Sequence, residues 1–75
     1  MASLNAKELA EAAALANLES LRAALDVEVA LRGELRVARA HSASSAMTVE
    51  TKVREAEKRS NAAFTAWRKS QEAVP

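Results

Sequence analysis

Apolar residues recur along this chain at three- and four-residue steps, and the steps sort into separate stripes. Turning each residue by about 100° gathers Leu15, Leu18, Leu21, Leu25 and Val29 on one side of residues 6–40. Another side collects Ala6, Ala10, Ala13, Asn17, Ser20, Ala24, Val27, Leu31 and Ala38. The first stripe is bulky and the second mostly small. Residues 46–72 carry a single seam that reads Val49, Val53, Ala56, Ser60, Ala63, Trp67, Ser70, Val74. Its alternating steps of four and three are heptad spacing, with small residues where Leu is usual. The pattern predicts an all-α fold, one helical hairpin spanning 1–75. Its first helix covers about 6–40, its loop about 41–45 and its second helix about 46–72.

Local signals agree with this division. Asn5 suits an N-cap, since its side-chain oxygen accepts from an unpaired backbone N–H. Glu8 stands three residues on, as in a capping box, and Leu4 and Leu9 occupy the positions of a hydrophobic staple. Arg36, Arg39 and His41 place cations where a helix ends. The serines of residues 42–45 compete for local backbone hydrogen bonds, which suits a break, and Ser45 or Thr48 is expected to cap the second helix. Glu50–Arg54 and Glu55–Arg59 are favourably oriented pairs one turn apart.

Two competing patterns are present. Val27, Val29, Leu31, Leu35 and Val37 alternate with Asp26, Glu28, Arg32, Glu34 and Arg36, which is a strand pattern over 26–37. No partner strand exists elsewhere, and Glu, Arg, Leu and Ala are poor strand formers, so helix is the expectation. Gly33 is read as a tolerated helix residue. A continuous rod is the other alternative. Against it, folding back at the serines sets position i opposite about 87 − i, which pairs Ala38 with Val49, Leu31 with Ala56, Val27 with Ser60, Ala24 with Ala63 and Ser20 with Trp67. Large then meets small along most of the seam, as close helix packing requires.

The leucine stripe has no counterpart in its own chain. Burying each Leu fully is worth about 1.5–3 kcal/mol. Leu15, Leu18, Leu21, Leu25 and Val29 are therefore expected to form a dimer or protein-interaction face, two hairpins giving a four-helix bundle or coiled-coil-like dimer. A chain of 75 residues is small enough that its own core supplies only about 3–5 kcal/mol, which favours association with itself or another protein.

Composition narrows the chemistry. The chain has no Cys, one Gly and a single His, so neither a disulfide framework nor a zinc set can staple it. His41 beside the serines suggests a helix-end residue rather than a catalytic base, because no orienting third group accompanies it. Glu50, Glu55 and Glu57 each have a basic neighbour and read as a solvated face. No catalytic residue, cofactor, metal or small-molecule substrate is expected, and the chain is read as a non-enzyme. It lacks a secretory start and any apolar run of about 20 residues, so a cytoplasmic protein with no membrane role is expected.

Charge supplies the remaining signal. In residues 1–31, Lys7 and Arg22 stand against Glu8, Glu11, Glu19, Asp26 and Glu28. In residues 32–59, Arg32, Arg36, Arg39, Lys52, Arg54, Lys58 and Arg59 stand against only Glu34, Glu50, Glu55 and Glu57. In a hairpin those seven bases gather near the loop as a basic partner-binding tip. Arg32 and Arg36 also continue the line of Leu25 and Val29. The expected function is a small protein-interaction module: an adaptor, inhibitor or assembly accessory protein working through helix faces. The alternatives are a nucleic-acid-binding hairpin dimer that uses the tip, and a structural subunit of a larger coiled-coil assembly. The interleaved acids and the lack of a stacking aromatic weigh against nucleic acid.

Overall fold

The computed structural model describes residues 5–73. Two helices, α1 (Ala6–His41) and α2 (Ala43–Ala73), pack side by side as an antiparallel hairpin about 58 Å long. Residues 26–37 are helical throughout, so the strand pattern loses to helix propensity. The chain reverses once, so it is not a rod.

Asn5 caps α1 as its sequence implies. Its side-chain oxygen accepts from the Glu8 N–H at 2.8 Å, and its amide donates back to the Glu8 carboxylate at 3.0 Å. Leu4 of the expected staple lies outside the described residues, as does Val74 of the α2 seam. Gly33 is an ordinary helix residue, and a Cβ added there would meet nothing within 4 Å.

The break is shorter than the sequence suggests. Ser42 alone lies between the helices, in an extended conformation (φ −163°, ψ 153°). Its N–H donates to the Ala38 carbonyl at 3.0 Å, closing α1. Its own carbonyl accepts from Ala46 N–H, and its hydroxyl oxygen accepts from Ser45 N–H, both at 3.1 Å, opening α2. One residue thus caps both helices, and neither Ser45 nor Thr48 takes that part. No left-handed residue is needed.

The α2 seam is the one its sequence spells. Val53, Ala56 and Ser60 are buried, and Val49, Ala63, Trp67 and Ser70 are half-buried. Ala46, buried beside the turn, extends it by one step. On α1 the seam runs Ala10, Ala14, Asn17, Leu21, Ala24, Glu28, Leu31, Leu35, Ala38, every one buried or half-buried. This departs from the expected stripe: Ala14, Leu21 and Glu28 replace Ala13, Ser20 and Val27, Leu35 is added, and Ala6 drops out, the four displaced residues all being exposed. The turn of about one residue brings Leu21 and Leu35 inward, which buries more apolar surface. Its cost is a carboxylate at Glu28 where Val27 was expected. Arg32 Nε donates to that carboxylate at 3.1 Å.

Leu35, Ala46 and Val53 form the core cluster, with Leu31, Ala38 and Val49 packed on it. Ala56, only 3% exposed, marks where small side chains let the helices approach. Farther from the loop, the Asn17 amide donates to the Ser70 hydroxyl across the seam, which fixes the 87 − i register there.

Candidate functional site

The residue after each α1 seam position lies about 100° further round the helix. These residues are Glu11, Leu15, Leu18, Arg22, Leu25, Val29, Arg32, Arg36 and Arg39, a second heptad stripe alongside the first. We call it the outer stripe. Leu15 is 57% exposed, Leu25 43% and Val29 69%, while Leu18 is half-buried. Four of the five expected face residues therefore share this stripe. The fifth, Leu21, is 7% exposed in the α1–α2 seam and leaves the candidate face, for the reason that rotated the seam itself.

A ladder runs along the same edge of the hairpin. Arg39 Nη2 donates to Glu50 at 3.2 Å, and Arg32 Nη2 to Glu57. Seven residues further along each helix, the ladder continues to Leu25 on α1 and Phe64 on α2. Phe64 is 47% exposed, with its ring centroid 5.9 Å from that of Trp67. Phe64 thus widens the oily surface of Leu15, Leu18, Leu25 and Val29. Phe64 follows the seam residue Ala63 and so sits at the edge of the α2 seam, but its alignment with Leu25 depends on the register between the helices.

The seven bases of the tip do not form one patch. Arg32, Arg39 and Arg54 line a cleft together with Glu50 and Glu57, and Arg36 lies beside Arg32 and Arg39 on the outer stripe. Lys52 and Arg59 each precede a seam residue of α2, so they flank the opposite edge from Glu50 and Glu57. Lys58, midway between Ala56 and Ser60, points to the back of α2. The Arg32 guanidinium is pushed above its ordinary pKa, chiefly by its hydrogen bond to Glu28 and then by the one to Glu57. A raised cation pKa favours the fold below the unfolded value and is lost only as pH rises through the folded one. Arg32 therefore stays charged and paired across the neutral range.

Two buried polar atoms have no partner among the described residues, the Ser60 hydroxyl and the Trp67 indole nitrogen. His41 is exposed at the end of α1, beside a shallow apolar depression lined by Gly33, Val37, Ala38 and Ser45. No three acidic, His or Cys side chains converge among the described residues, and no described helix is long and apolar enough to cross a membrane. Compared with family models, curated proteins and solved structures, the chain matches none.

Proposed function

We propose that this chain is a small non-enzymatic protein-interaction module, an adaptor, inhibitor or assembly accessory protein that works through the outer stripe of α1. One observation carries the reading. The hairpin closes its own seam and still leaves Leu15, Leu25, Val29 and Phe64 in water along one side, with Arg22 set between Leu18 and Leu25. Scattered surface leucines are ordinary, but a contiguous apolar patch with a charged rim is the anatomy of an interface. The basic residues support a protein partner better than a nucleic acid. Arg32 and Arg39 are already held by Glu57 and Glu50, and Lys52, Lys58 and Arg59 lie on other sides of the molecule.

Photo-crosslinking tests the proposal. A photoreactive side chain replacing Leu25 is expected to join the full chain to protein in a concentrated lysate. The same group replacing Thr65, on the back of α2, is expected to capture far less. Equal capture at both positions overturns the reading. So does a salt-sensitive mobility shift with DNA or RNA at about 50 mM salt.

A further inference from the structure

We infer that the occupant of the outer stripe is a second copy of this chain, its α1 antiparallel to the first, so that position i of one copy faces about 47 − i of the other; this rests on the interaction-module reading above. The stripe is self-complementary only in that direction. Extended one step back to Glu8, it begins with Glu8 and Glu11, passes through Leu15, Leu18, Arg22, Leu25 and Val29, and ends in Arg32, Arg36 and Arg39. Reversed onto itself, Glu8 meets Arg39, Glu11 meets Arg36, and Leu18 meets Val29. Leu15 lies along the aliphatic stem of Arg32, and Leu25 along that of Arg22. The dyad falls between residues 23 and 24, the midpoint of Ala6–His41, so the two α1 helices overlap along their whole length with opposed macrodipoles. A twofold contact uses the same patch on both copies, as homodimers commonly do.

The intrachain ion pairs point the same way. Arg32 and Arg39 are paired within the hairpin, whereas Arg36 makes no ion pair among the described residues. At the other end Glu8 is engaged by Asn5, while Glu11 is exposed and has no ion-pair partner there. Glu11, Arg22 and Arg36 are the charges on the stripe with no ion pair among the described residues, and the 47 − i register brings Glu11 and Arg36 together twice per dimer. A parallel pairing would instead set Glu11 on Glu11 and Arg36 on Arg36, and like charges repel.

Sedimentation and disulfide trapping of the purified full chain test this. The chain is expected to sediment as a dimer. Arg36→Glu or Glu11→Arg alone is expected to weaken dimerisation about tenfold or more, and the double variant Glu11→Arg/Arg36→Glu to restore it. Circular dichroism of each variant checks that the hairpin persists, and the restored double variant separates lost pairing from lost folding. Mixing the Glu11→Cys and Arg36→Cys variants under oxidation is expected to yield mainly the mixed disulfide, since the natural chain has no cysteine to interfere. Predominance of either like-with-like disulfide, a charge swap that fails to restore association, or a monomer at about 100 μM overturns the second-copy assignment. A monomer that nevertheless captures a different protein through position 25 leaves the interaction-module reading standing, whereas a monomer that captures nothing there sinks both.

Discussion

The half of the hairpin next to Ser42 and the half at its open end are built to different standards. Near the loop, Leu35, Ala46 and Val53 form a cluster sealed by Leu31, Ala38 and Val49, and Arg39–Glu50 and Arg32–Glu57 close its edge. Toward the open end, the seam relies on Ala14, Leu21 and an Asn17–Ser70 hydrogen bond. There the Trp67 indole nitrogen is buried with no partner among the described residues, while the exposed apolar residues of the outer stripe straddle the midpoint of α1, Leu15 on this side and Leu25 and Val29 on the other. The difference teaches that one hairpin can be held by an apolar cluster with cross-helix ion pairs at one end and by small side chains with a single hydrogen bond at the other. An antiparallel dimer would set the clustered half of each copy beside the small-residue half of its mate.

Core deletions should separate the halves most sharply. Leu35→Ala, in the sealed cluster, is expected to cost about 2–4 kcal/mol in urea unfolding. Leu15→Ala should cost little at dilutions where the chain is monomeric, and acquire a cost only as concentration rises. Equal, concentration-independent losses would break the comparison. Ser42→Ala comes next. Its hydroxyl oxygen satisfies the Ser45 N–H, and losing such a cap costs about 1 kcal/mol. Amide exchange should rise first in the opening turn of α2, while the helix end at Ala73 is unaffected. The smallest effect belongs to the open half. Trp67→Phe removes a buried N–H that has no acceptor among the described residues, so thermal unfolding is expected to move by less than about 1 kcal/mol. A large loss there would mean that the indole nitrogen is satisfied by a group outside residues 5–73.

Much of this was legible in the chain itself. Asn5 and Glu8 announce the start of α1, and the unbroken four-three steps from Val49 to Ser70 give the buried edge of α2 almost residue by residue. Those signals are local, since caps and heptads depend only on neighbours within about one turn. The break was legible as a region but not as a residue, because Ser42, Ser44 and Ser45 are chemically equivalent caps in sequence. Only the packing of Ala46 against Leu35 and Val53 selects the first of them.

The sequence by itself determined two amphipathic helices, the serine break and an excess of apolar surface on α1. The tertiary structure decided which stripe of α1 turns inward. Both were apolar enough to be buried, and the choice rested on the surface α2 presents, where Ala46 and Val53 receive Leu35 with Leu31 packed on the same cluster. That choice moved Leu21 into the core and left Leu15, Leu25 and Val29 outside. A side chain's own hydrophobicity says that it prefers to leave water; only the surface opposite determines whether it can.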